Sequence, residues 1–88
     1  MPRVKFTNHA MAKIEILQNH GFFVDADLIK ACLIAPAKIE AGRGKRKIAQ
    51  MVYDEGHVLR VVYEERENEI LVVTVYPGRR TRYEKDQV

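Results

Sequence analysis

Serine is absent from this 88-residue chain, and cysteine occurs once, at Cys32. A serine-based hydrolytic triad is therefore excluded, and a lone cysteine closes no internal disulfide and builds no thiolate zinc site. One unpaired thiol fits a reducing, cytoplasmic setting. Long hydrophobic runs are also missing: the stretch from Ile70 to Val73 is far too short to span a bilayer, and no membrane partner is expected. The opening Met-Pro-Arg-Val-Lys-Phe carries charge at once and has no signal-peptide core. There is no internal repeat, no low-complexity tract and no linker, and the length suits a single domain, residues 1–88.

Metal and nucleotide signatures are equally thin. His9, His20 and His57 show no i, i+4 pair, and no cysteine stands beside them, so no metal site is expected. Gly42-Arg43-Gly44-Lys45 matches neither a P-loop nor a dinucleotide fingerprint, and no cofactor is expected. Carboxylates occur together only in turns and at strand ends, where exposure is their natural state.

What is present is a globular composition, 47% hydrophobic, with a net charge of +3 unevenly spread. Arg43, Lys45, Arg46 and Lys47 form one basic cluster, and Arg79, Arg80, Arg82 and Lys85 form another. Asp54, Glu55, Glu64, Glu65, Glu67 and Glu69 lie between them. Two basic ends suit phosphate or an acidic protein partner, provided the fold brings them together.

The pattern predicts an α+β domain: two N-terminal helices packed on an antiparallel β-meander of three to four strands. Arg3 to Phe6 is a short opening strand whose place in the sheet stays open. Thr7 or Asn8 caps a helix running to about His20 and stopping at Gly21, with Ala10, Ile14 and Leu17 as its core stripe. Asp25 caps a second helix, about Ala26 to Ala35, which buries Leu28, Ile29, Cys32 and Leu33 and ends before Pro36. Pro36 to Glu40 reads as an ambiguous edge segment. Three strand-like runs follow, Arg46 to Tyr53, His57 to Glu64 and Glu69 to Tyr76. Glu55-Gly56 is the first turn and Arg66-Glu67-Asn68 the second. With those turns, Val52 pairs opposite Leu59 and joins Leu59, Val61, Leu71, Val73 and Val75 on the helix-facing side. The other face then carries Met51, Tyr53, Arg60, Thr74 and Tyr76 with Val58, Val62 and Val72. Arg80 and Arg82 point the same way if the tail is extended.

Arginine, lysine, histidine and tyrosine together suit metal-free RNA cleavage. A base must take the 2′-hydroxyl proton, fixed positive charge must stabilise the phosphorane, and a donor must serve the leaving oxygen. Arginine binds phosphate bidentately, and tyrosine can donate or stack on a base. His9, Lys13, Arg60, Tyr76, Arg80, Arg82 and Tyr83 supply these types.

The order of motifs adds to this. Phe6-Thr7-Asn8-His9-Ala10 opens the first helix, Pro-Ala-Lys-Ile-Glu-x-Gly follows the second, and Leu59-Arg60-Val61-Val62-Tyr63 and Val73-Thr74-Val75-Tyr76-Pro77 come next. Arg79-Arg80-Thr81-Arg82-Tyr83 closes the series. The chain resembles a family of small prokaryotic domains similar to the BrnT toxins and, more distantly, the RelE/ParE toxin superfamily. The resemblance implies a RelE/ParE-like helix-helix-meander fold with a groove on the sheet. It also implies an endoribonuclease toxin of a type II toxin-antitoxin system, acting on RNA such as ribosome-associated mRNA and neutralised by a cognate antitoxin. Position by position it points to His9, Lys13, Arg60, Arg80 and Tyr83 as catalytic. Arg43, Lys45, Arg46, Tyr76, Arg79 and Arg82 are the expected RNA contacts. Lys13 stands where relatives often carry an arginine, and Ile16-Leu17 fills the next turn, so helix one is less cationic than theirs. A non-catalytic module that binds RNA or an acidic protein through the basic loop and tail is the alternative.

Overall fold

A computed structural model describes residues 2–84. The elements run β1 (Arg3–Phe6), α1 (Asn8–Asn19), α2 (Ala26–Ile34), β2 (Lys38–Ala41), β3 (Arg46–Val52), β4 (His57–Arg66), β5 (Glu69–Arg79) and the single turn α3 (Arg80–Tyr83). The five strands form one sheet in the order β1-β5-β4-β3-β2, antiparallel except for β1, which lies parallel to β5.

The four-strand meander is present as β2 to β5, a fifth strand corrects the expected count, and three points that the sequence left open are decided. β1 precedes the helices and joins the sheet, closing the edge that β5 would otherwise expose, with Val4 and Phe6 packed against the core. The Ile39 region is the true strand β2. The tail is not extended but turns into α3, on the face away from α1 and α2.

Local chemistry explains the helix limits. Thr7 Oγ1 accepts from the Ala10 amide at 3.0 Å, capping α1, and donates to the Val73 carbonyl at 2.8 Å. Gly21, at φ +87°, ends the helix in the left-handed conformation that a side chain would disfavour. Asp25 Oδ1 caps α2 through the Leu28 amide at 2.8 Å. The buried core gathers Ala10 and Leu17 of α1, Ile29 and Cys32 of α2, and Ala49, Leu59, Val61, Tyr63, Val72 and Val75 of the sheet, with Val24 from the link.

Two registers differ from the sequence expectation. The β3–β4 connection spans residues 53–56, so Val52 pairs with Val58 and Met51 with Leu59. A one-residue slip exchanges faces. Met51 and Tyr53 therefore pack on the core, while Val52 is 44% exposed. In β5, Val62 pairs with Thr74 but Tyr63 pairs with Val72, leaving Val73 as an extra residue. This bulge reverses the alternation of β5, bringing Val72 to the core opposite Tyr63 in place of Leu71 and Val73. The β4–β5 turn is correspondingly two residues, Glu67 and Asn68, with Arg66 opposite Glu69 and Asn68 at φ 60°.

Thr7 thus ties the start of α1 to the bulge carbonyl. Thr7→Ala removes both the cap and that bond and is expected to cost about 1.5 kcal/mol. Thermal unfolding by circular dichroism should show the midpoint falling by roughly 6–12 °C, with the far-ultraviolet spectrum retained below it.

Candidate nucleic-acid interface

Strand alternation places Arg60, between the core residues Leu59 and Val61, on the face opposite α1 and α2. The register lines up Lys38, Gln50, Arg60 and Tyr76 across four strands. Arg60 is only 3% exposed, yet every nitrogen is engaged. Its Nε donates to the Tyr76 hydroxyl at 2.9 Å, and Nη1 donates to Gln50 Oε1 and to Glu40 Oε1, the latter at 3.1 Å. Nη2 donates to Glu40 Oε2 at 3.4 Å. Burial works against its charge, but the bonds to Glu40 and Tyr76 outweigh that and hold the guanidinium above its ordinary pKa. In return, the bonds from Arg60 and Lys38 hold the Glu40 carboxyl below the usual range.

Tyr83 completes the cluster. Its ring centroid lies 4.2 Å from Arg60 Cζ, and Arg82 Cζ lies 5.4 Å from the same centroid. Lys38 Nζ donates to the Tyr83 carbonyl at 2.8 Å and pairs with Glu40 at 3.1 Å. Gly78 makes the approach possible: a Cβ there would stand 2.3 Å from Tyr83 Cε2.

The same face carries more cations than carboxylates. Arg46 and Arg66 both reach Glu64, Lys5 reaches Glu69, and Lys38 and Arg60 share Glu40, while Arg3 alternates with them on β1. Arg79 and Arg82 are exposed at the far tip. The two basic clusters do not meet. Arg43 and Lys45 lie on the β2–β3 loop, at the Glu64 end of β4, whereas Arg79 pairs with His57 at the other end. Seven residues of strand separate those rows, about 23 Å. They bracket a track rather than a single pocket.

The expected catalytic residues separate into three groups. Arg60 and Tyr83 come together, with Tyr76 and Arg82. Arg80 is at the tip, bonded to Glu84 at 2.6 Å and near the Glu55 carbonyl at 3.5 Å, and it does not point with Arg82. His9 is exposed in the first turn of α1, and Lys13 is half-buried on the same helix, which covers the opposite face. The remaining histidines are also away from Arg60: His20 Nδ1 contacts the Ile16 carbonyl, and His57 Nδ1 contacts Asp54 while its ring packs edge-on against Phe22. Cys32 is in the core, where burial pushes its thiol up to about 11. Among the described residues no three metal-ligating side chains gather, and no helix is long and apolar enough to cross a membrane.

Sequence reasoning missed Glu40, Gln50, Lys38 and Gly78. A polar Gln50 between Ala49 and Met51 on a strand was the available signal, because a buried amide needs a partner. Its pairing with Arg60 depends on the register.

No protein-family profile matches the chain, and no curated protein matches it. Two solved structures from Helicobacter pylori share its fold. A conserved hypothetical protein, known in solution, aligns over 89% of this chain and 96% of its own, with 15% identity and a TM-score of 0.59. A copper-bound mutant toxin, known as a crystal structure, aligns over 93% and 98%, with 16% identity and a TM-score of 0.61. The chain is similar to both in architecture.

The Glu40 pairing makes stability depend on pH. Because the folded pKa is depressed, its contribution is present above the unfolded value and is lost as pH falls through the folded one. Glu40→Gln is expected to lose about 1 kcal/mol at pH 7, an amount reduced by the carboxylate's 40% exposure. Urea unfolding of both chains should show the gap closing as the pH is lowered toward 3.

Proposed function

We propose that this chain is a toxin-like RNA-binding protein that acts by occupying RNA rather than by cutting it. The observation that carries this reading is the cation-rich sheet face. Lys38 stands beside Arg60, and Arg46, Arg66, Lys5 and Arg3 lie toward the Glu64 end of the same face, with fewer carboxylates than cations, and exposed basic residues bracket both ends. Such a track neutralises successive phosphates of a single strand. The fold shared with a bacterial toxin supports the toxin-like part. A cognate acidic antitoxin would use the same cations.

Binding is favoured over cleavage by what surrounds Arg60. Four of its five N–H donors are engaged by Glu40, Gln50 and Tyr76. A general base should have a pKa near the working pH, and the nearest candidate, Glu40, is pushed the other way. His9 and Lys13 belong to the helix layer.

The test is fluorescence anisotropy with a labelled single-stranded RNA across a salt series, run beside total-RNA integrity after induced expression in bacteria. We expect binding that weakens with salt, intact RNA, and a log–log slope about 1–2 units shallower in the Arg79→Ala/Arg82→Ala variant. RNA cleavage that a folded Arg60→Ala/Arg80→Ala variant lacks would overturn the reading in favour of an endoribonuclease.

A further inference from the structure

We infer that the slot above the Arg60 guanidinium is a nucleobase site, and that Tyr83 closes it in the free protein. The inference rests on the RNA-binding reading and names the part of the RNA that this site takes.

Among the described residues two rings lie over the Arg60 guanidinium, Tyr83 with its centroid 4.2 Å from Cζ and Tyr76 at 5.7 Å. A nucleobase has the same shape and the same π face, and guanidinium planes stack on either. The slot's wall is the Gly78 backbone, bare enough that even a methyl group would collide with the ring. Its rim is polar. The Tyr76 hydroxyl, the Gln50 amide, the Glu40 carboxylate and the Lys38 ammonium group meet around Arg60, within reach of a base edge. Arg82 also lies against Tyr83. The ring therefore has two cations against it, and it is filling a slot rather than offering an open platform.

The closure is held lightly. α3 is a single turn without a side-chain cap, and a turn this short does not persist by its own hydrogen bonds. Among the described residues three hydrogen bonds dock it to the body: the Arg80 amide with the Gly56 carbonyl at 3.0 Å, Arg80 Nη1 with the Glu55 carbonyl at 3.5 Å, and Lys38 with the Tyr83 carbonyl at 2.8 Å. Release of Tyr83 frees Lys38 to meet a base carbonyl or the adjoining phosphate. It also exposes a buried arginine face, which needs a flat replacement. A base supplies that replacement, whereas a bare phosphate chain does not.

The test compares a labelled RNA decamer with an abasic ribose-phosphate decamer of equal charge, by anisotropy at one salt concentration. The chains are wild type, Tyr83→Ala, Gly78→Ala and Tyr83→Phe. Tyr83→Ala empties the slot, Gly78→Ala drives the ring out while leaving it in the chain, and Tyr83→Phe keeps it filled. We expect the first two variants to bind the RNA about tenfold more tightly, to bind the abasic strand within twofold of wild type, and Tyr83→Phe to match wild type on both. Gly78→Ala carries the comparison alone if Tyr83→Ala does not fold. Equal gains on both strands would overturn the base site, because charge alone would account for them. Unchanged or weaker RNA binding in the folded Tyr83→Ala and Gly78→Ala variants would also overturn it, leaving the RNA reading intact. Absence of RNA binding in every chain would overturn both.

Discussion

A charged side chain in the middle of a central strand constrains everything around it. Arg60 is shielded from water, and an arginine there cannot shed its proton, so its donors need acceptors from neighbouring strands. Tyr76 on β5, Gln50 on β3 and Glu40 on β2 supply them. That requirement reaches across the whole meander: β2 must pair with β3 so that Glu40 arrives, and β3 must pair with β4 in the register that sets Gln50 beside Arg60. A buried pair of this kind is weak evidence of added stability, because desolvation offsets much of the attraction. Its larger effect here is on register, since any slip by one residue would strand Arg60 without acceptors and turn it toward the helices.

The bulge at Val73 is the second constraint, and it belongs to the opposite face. Without the extra residue, Val72 would leave the core and the sheet beneath α1 would lose its packing. Thr7 links the two ends of this arrangement by capping α1 and binding the Val73 carbonyl. One hydroxyl therefore fixes both where the helix begins and where it sits on the sheet.

Together these constraints separate the molecule into an apolar face under two helices and a cationic face under one short turn. The polar face is where the structure and the motif resemblance overlap most, through Arg60, Tyr76, Arg82 and Tyr83. The same geometry draws Arg60 into the sheet's own network and leaves His9 and Lys13 on the other side. The likeness to the Helicobacter pylori toxin is one of fold, at 16% identity, and the chemistry has to be argued from these side chains.

The helices were legible from residue types because their causes are local. Thr7, Asp25, Gly21 and Pro36 mark ends through hydrogen bonds and backbone geometry within a few positions, and the Ala10-Ile14-Leu17 stripe follows from helical periodicity. Arg60, Tyr76 and Tyr83 could be singled out because each is a polar or aromatic residue where the pattern did not require one. The sheet's faces were not legible in the same way. Whether Val52 or Met51 packs on the core depends on how many residues the β3–β4 connection uses, and whether Leu71 or Val72 does depends on a bulge. Both are settled by packing between strands. Nor could the sequence show that α3 folds back over Arg60, since that contact depends on space left by Gly78 and on Lys38 from a distant strand. The amino-acid sequence by itself determined the helix boundaries, the apolar stripes of the helices and the supply of cations, because short-range forces set those. Only the tertiary structure decided which cations share a face and which are already spent, because that depends on long-range register, where a shift of one residue reverses the answer.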